Sequence, residues 1–137
     1  MHLNGNEHQD LKLENCLVDR NFENIYLIDF EFGCVNYETS NFSNTAGTLL
    51  YLPPESFCSI IKPQFSKKDI WALGVMFMIL MYKTIPIKNN SIQSYIYFIK
   101  NIKPILDQEI RGCFNWEPTN RINILQLIRN IEKLVYS

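Results

Sequence analysis

Thirteen consecutive residues, IWALGVMFMILMY from Ile70 to Tyr82, carry no charge at all. A membrane-spanning helix needs about 20 apolar residues, so this run is too short to cross a bilayer. It is also apolar all round rather than along one stripe. The pattern therefore predicts a helix, from about Lys67 to Lys83, buried on every side inside a protein body. Whatever surrounds it must come from the rest of a 137-residue chain, which is the length of one domain. The pair Lys67-Lys68 reads as the solvated start of that helix.

Two further stretches have helical periodicity. SIQSYIYFIKNI sets Ile92, Tyr95, Ile96 and Ile99 on one face, and NILQLIRNIEKLVY does the same with Ile124, Leu127, Ile128, Ile131, Leu134 and Val135. Pro118 and Thr119 read as loop residues before the last helix. Upstream, NCLVD (Asn15 to Asp19) and IYLIDF (Ile25 to Phe30) read as short strands joined by the polar turn RNFEN, a β-hairpin. Between Glu31 and Pro63 periodicity disappears, and a stretch that long inside a compact domain is usually functional or disordered. The outline is a hairpin, a long loop and a helical body.

Charge and cysteine usage exclude several functions. The net charge is −1 with no long run of one sign, which gives no surface for nucleic acid or an anionic membrane. Cys16, Cys34, Cys58 and Cys113 are scattered without a CxxC or Cys/His cluster, so a structural zinc is not expected. The opening MHLNGNEH is polar and is no secretory signal, so a reducing cytoplasmic or nuclear setting is the default.

Chemistry concentrates in HQDLKLEN, His8 to Asn15. Its polar residues suit neither a solvated helix nor a buried strand. Transfer of a phosphoryl group from a nucleotide to a hydroxyl needs a carboxylate to orient the nucleophile, cationic charge for the phosphates and hard oxygen ligands for a metal. Asp10, Lys12 and Asn15 supply these types. The hairpin then returns the chain to Asp29, which brings a second oxygen ligand towards Asn15. Taken singly, Asp10 and Asn15 read equally well as turn residues and Asp29 as a cap. Their combined spacing around a hairpin favours catalytic ancestry.

HQDLKLEN resembles the H-R-D-L-x-x-x-N catalytic loop of protein kinases, and IDFEFG resembles their D-F-G segment. Choline kinases and aminoglycoside phosphotransferases look similar over this half, and Glu31 stands where protein kinases place Gly. The second half separates them. AGTLLYLPPE (Ala46 to Glu55) is similar to the G-T-x-x-Y-x-A-P-E end of a protein-kinase activation segment, with Pro53 in place of Ala. DIWALGV (Asp69 to Val75) is similar to the D-x-W-S-x-G-[VC] opening of the family's central helix, and EPTNR (Glu117 to Arg121) to the D-P-x-x-R before its last helices.

The resemblance implies an α+β, mainly α fold: the C-terminal lobe of a protein kinase, with a small β-hairpin, an activation segment over residues 29–55 and a helical body. Residues 1–137 are then a partial kinase domain whose N-terminal lobe is absent. It implies Asp10 as the catalytic base, Lys12 at the transferring phosphate, and Asn15 and Asp29 as Mg²⁺ ligands, with ATP as donor. Thr48 would bridge towards Asp10 and Lys12 in the substrate loop, which with the D-L-K form favours Ser/Thr protein substrates over Tyr. Glu55 and Arg121 would form a buried ion pair, and Asp69 would accept hydrogen bonds from the catalytic-loop backbone.

Departures from the family set the alternatives. No Gly-rich loop, strand lysine, helix glutamate or adenine-binding hinge occurs in the 137 residues. Without a partner or a missing lobe, this chain is therefore not expected to phosphorylate anything at a useful rate. Gln9 replaces the arginine that commonly receives an activation-loop phosphate, so phosphorylation of Thr39, Ser40, Ser43 or Thr45 is not expected to switch activity. Glu31 adds charge where Gly is usual, and EFG (Glu31 to Gly33) is a lower-ranked register for the metal segment. The second reading is a pseudokinase-like module that binds proteins without chemistry, and the third a choline-kinase-like phosphotransferase.

Overall fold

A computed structural model describes residues 1–35, 47–83, 91–102 and 107–136. The chain opens with a short 3-10 turn, His2–Asn4, and strand β1 (Asn6–Glu7), then runs through the HQDLKLEN loop into β2 (Cys16–Val18) and β3 (Ile25–Leu27). Strand β4 (Cys34–Val35) follows, then helices α1 (Lys67–Tyr82), α2 (Ile92–Ile102), α3 (Gln108–Arg111) and α4 (Ile124–Tyr136).

The β2–β3 hairpin is antiparallel, with Cys16 opposite Leu27 and Val18 opposite Ile25. Its strands are shorter than the sequence pattern predicts. Asn15 still closes the ladder, accepting the Ile28 N–H at 3.0 Å, but Asp29 turns to φ 63° and ends the extended chain before Phe30. At the other end the Asp19 carboxylate accepts the Glu23 N–H and the Asn24 amide, both at 2.8 Å, and closes the tip. A second small ladder pairs Asn6 with Val35 and Glu7 with Cys34, so the chain on either side of the hairpin is tied together.

Helix α1 is the centre of the body. Ile70, Trp71, Ala72, Val75, Met76 and Met78 are buried and share one core with Tyr95 and Ile99 of α2, Ile110 of α3, Cys113, Phe114 and Leu127 of α4. Trp71 meets Phe114 edge-on at 5.2 Å and donates its indole N–H to the Tyr95 hydroxyl at 2.8 Å. Gly74 is required by this packing: a Cβ there would lie 2.6 Å from Cys113 Cβ and 3.1 Å from the Phe114 ring.

Two expectations need correction. Burial on all sides holds for the first turns of α1 only, because Leu80, Met81 and Tyr82 are exposed at its end. Lys67 and Lys68 are not a solvated helix start. Both are half-buried, Lys67 Nζ donates to the carbonyls of Arg121 and Ile122, and burial lowers both ammonium groups below their usual range. A charge pair in sequence looks solvated, but here the helix start is packed under the loops.

Large apolar side chains stand in solvent along the hairpin and beyond it: Leu17, Val18, Phe22, Ile25, Tyr26, Ile28, Phe30 and Phe32. A cleft of about 400 Å³ between the hairpin, α1 and α4 is lined by Leu27, Leu73, Met76, Phe77, Leu80 and Ile124 among others. No helix among the described residues is long and apolar enough to cross a membrane.

Candidate active site

The loop from His8 to Asn15 is fixed from below by α1. Asp69, fully buried, accepts the His8 N–H on Oδ2 and the Gln9 N–H on Oδ1, both at 2.8 Å, and Oδ2 also takes the His2 Nε2 at 2.8 Å. Gln9 sits at φ 65°, a left-handed conformation that a non-glycine residue holds only where its surroundings fix it. His8 then anchors the hairpin: its Nε2 lies 2.9 Å from the Ile28 carbonyl and its ring 4.5 Å from that of Phe30. The residues on both sides of Asp29 are therefore held against the loop.

Asp10 is 6% exposed and has two different oxygens. Oδ1 accepts the Thr48 backbone N–H at 3.1 Å and the Thr48 hydroxyl at 3.3 Å, while Oδ2 lies 3.3 Å from Lys12 Nζ. Lys12 Nζ in turn donates to Thr48 Oγ1 at 2.9 Å. Carboxylate, ammonium and hydroxyl thus close a three-membered cluster across 36 residues of chain. Gly47 makes the approach feasible: at φ 117° it takes a conformation disfavoured for side-chain-bearing residues, and a Cβ would lie 3.3 Å from the Gln9 carbonyl and 3.5 Å from Asp10 Oδ1.

Asn15 is buried, and its amide nitrogen donates to the Asp10 carbonyl at 3.0 Å. That bond orients the carboxamide and leaves its oxygen as the acceptor end. Asp29 is exposed and its carboxylate makes no hydrogen bond or ion pair among the described residues. One carboxamide oxygen and one uncommitted carboxylate are the hard donors Mg²⁺ prefers, and this ion usually keeps several waters and takes few protein ligands. The donor set fits that ion. No cluster of three or more His, Cys, Asp or Glu occurs among the described residues, so an all-protein cage is not formed there.

The segment after Gly47 is ordered and buried from Tyr51 to Ser56, through two 3-10 turns. Glu55 and Arg121 join it to the body by two parallel bonds of 2.7 and 2.9 Å. Arg121 also donates to the carbonyls of Asn115 and Lys67, and its guanidinium lies 5.0 Å from the Trp71 ring centre.

Glu31 is exposed on a turn after Asp29. The candidate phosphorylation positions Thr39, Ser40, Ser43 and Thr45 lie outside the described residues. Glu7 and His2, to which the sequence motifs assign no role, lie beneath the loop, and His8 stands at its start. No local signal in the sequence separates Glu7 from a surface acid; its burial does.

A family model described as the protein kinase domain matches residues 1–133. Among curated proteins, the chain is 31% identical to a probable serine/threonine-protein kinase KIN1 homolog of Encephalitozoon cuniculi, over 93% of this chain and 24% of that protein. It is 28% identical to the serine/threonine-protein kinase KIN4 of Saccharomyces cerevisiae, over 96% of this chain and 18% of the other. It is also 28% identical to the serine/threonine-protein kinase pim-2 of Danio rerio, over 94% and 42% respectively. The chain thus spans less than half the length of each of these relatives.

Proposed function

Because the chain belongs to the protein kinase family, we propose that it carries the phosphoryl-transfer end of a site that phosphorylates protein Ser/Thr hydroxyls, as the C-terminal lobe of a kinase domain. The observation that carries this reading is the Asp10–Thr48–Lys12 cluster. Among the described residues Asp10 Oδ2 is shared only with the Lys12 ammonium, so it can accept the proton of an incoming hydroxyl and point its oxygen at the phosphate. Lys12 Nζ, tethered by the Thr48 hydroxyl, offers positive charge beside the same carboxylate. The Thr48 tether ties the substrate loop to Asp10, and this supports Ser/Thr substrates.

Asn15 and Asp29 are the residues proposed to hold Mg²⁺, with ATP as donor. When bound, the ion neutralises charge on the phosphates. The chain's own contribution is to hold Asn15 through the Asp10 carbonyl and Asp29 through the His8 contacts on its two neighbours. The 137 residues contain no Gly-rich loop or strand lysine for the remaining phosphates, so the chain by itself is proposed to transfer phosphate at no useful rate. A cytoplasmic or nuclear setting goes with this reading.

A second reading, a protein-binding module without catalysis, is favoured by the row of apolar side chains exposed along the hairpin. One experiment separates the two: assay of the protein purified from its native source with labelled ATP, followed by phosphoamino-acid analysis. The kinase reading expects phosphoserine or phosphothreonine product, lowered at least a hundredfold by Asp10→Asn. Equal product from Asp10→Asn, or none from a form that also supplies the Gly-rich loop and strand lysine, would favour the binding module.

A further inference from the structure

Glu7 immediately precedes the candidate catalytic loop and is 2% exposed. One of its carboxylate oxygens accepts the backbone N–H of Ser66, the residue ahead of α1, and the Gln9 carboxamide approaches the other at 3.5 Å. Both partners are held at positive φ, 63° for Ser66 and 65° for Gln9, a conformation that side-chain-bearing residues rarely keep without support. The charged and titratable groups facing Glu7 are Asp69 and Lys68 of α1 and His2 of the first turn. Lys68 is shared in turn among Glu7, Asp69, Asp10 and Glu55.

Two buried carboxylates, Glu7 and Asp69, therefore serve one loop from below. Asp69 needs its charge, because both its oxygens accept backbone N–H groups of the loop. Glu7 is less committed: a neutral carboxyl can still accept the Ser66 N–H on one oxygen, and the Gln9 carboxamide stands at 3.5 Å from the other, against 2.8 Å for both loop amides on Asp69.

We propose that Glu7 is a positioning residue for the Asp10 loop: as a neutral carboxyl it ties Ser66 to the loop, and as a carboxylate it opposes Asp69 and loosens that hold. Burial first, and the Asp69 charge second, push the Glu7 carboxyl up from 4.5 to about 7. The proton is thus bound more tightly when the loop is closed than when it is released. The closed loop is favoured fully below the released-state value of 4.5, and the advantage drains away as pH rises to about 7.

The test is hydrogen-exchange protection of the His8 and Gln9 amides in the full chain between pH 5 and 8, each corrected for intrinsic exchange. The wild type should lose protection by up to about tenfold per pH unit as pH rises to 7, and level off above it. Glu7→Gln keeps the acceptor for Ser66 without titrating, so its protection should be flat over the same range. Glu7→Leu removes the acceptor and should show low protection at every pH, which adds support if that variant folds. A slope that persists in Glu7→Gln would assign the titration to another group and overturn the proposal, as would a flat wild type. That the loop performs phosphoryl transfer rests on the reading above, but exchange reports the loop without it. A pH-sensitive loop in a protein whose Asp10→Asn variant yields as much phosphorylated product as the parent would refute that reading and leave this inference standing.

Discussion

Arg121 and Glu55 face each other as two planar forks, Nη1 to Oε1 at 2.7 Å and Nη2 to Oε2 at 2.9 Å, with both side chains almost wholly buried. The pair bolts the segment that carries Thr48 to the helical body. A buried ion pair adds little net stability, because desolvation offsets attraction, but stranding one partner is costly. Glu55→Ala should therefore lower unfolding free energy by about 3–5 kcal/mol in urea denaturation followed by tryptophan fluorescence. A loss below ~1 kcal/mol would mean that the pair is solvated in solution.

Gly74 sits where α1 crosses the turn at Cys113. An added Cβ would meet Cys113 Cβ at 2.6 Å, and neither helix nor turn can shift without disturbing Phe114 and Trp71. Gly74→Ala should cost ~1–3 kcal/mol in the same denaturation experiment, despite the better helix propensity of alanine.

The indole of Trp71 has its partner in Tyr95 OH at 2.8 Å, in a site where Tyr95 is 1% exposed. Tyr95→Phe removes only an oxygen but leaves a buried donor unsatisfied, so it should cost about 1–3 kcal/mol. A shift in the tryptophan emission at unchanged secondary structure by circular dichroism would locate the effect.

Cys113 is fully buried, and burial pushes its thiol up to about 12. Alkylation acts on the thiolate, so at pH 8 native protein should react at the partly exposed Cys58 while Cys113 stays unmodified until denaturant is added. Peptide mapping by mass spectrometry reads this directly. Modification of Cys113 at the rate of Cys58 would mean that the core around Gly74 opens readily.

Much of this architecture was legible in the chain. The uncharged run from Ile70 to Tyr82 reads as a buried helix, and two short apolar stretches around a polar turn place the hairpin. Legibility failed where tertiary context overrides local chemistry. Lys67 and Lys68 look solvated in sequence, but the carbonyls of Arg121 and Ile122 and the carboxylates around Lys68 take them into the body. The face of α4 that periodicity assigns to the core is buried only at Leu127, with Ile128 and Val135 in solvent, because periodicity shows which face is apolar and not what covers it. At the candidate site the residue types were evident. The link from Asp10 through Thr48 to Lys12 spans the whole loop; it is expected only through the resemblance of AGTLLYLPPE, because spacing alone does not bring Thr48 to Asp10. Glu7 was invisible for a different reason: one acid beside His8 looks like any polar residue until its burial is known.

We propose that the hairpin presents Asn15 and Asp29 to one divalent cation beside Asp10. Titration of the chain with Mn²⁺, followed by paramagnetic broadening of backbone amides, tests it most directly. Broadening centred on Asn15 and Asp29, extending to Asp10 and lost in Asp29→Ala, is the predicted result. Broadening that lies elsewhere, or that persists unchanged in Asp29→Ala, would contradict the account.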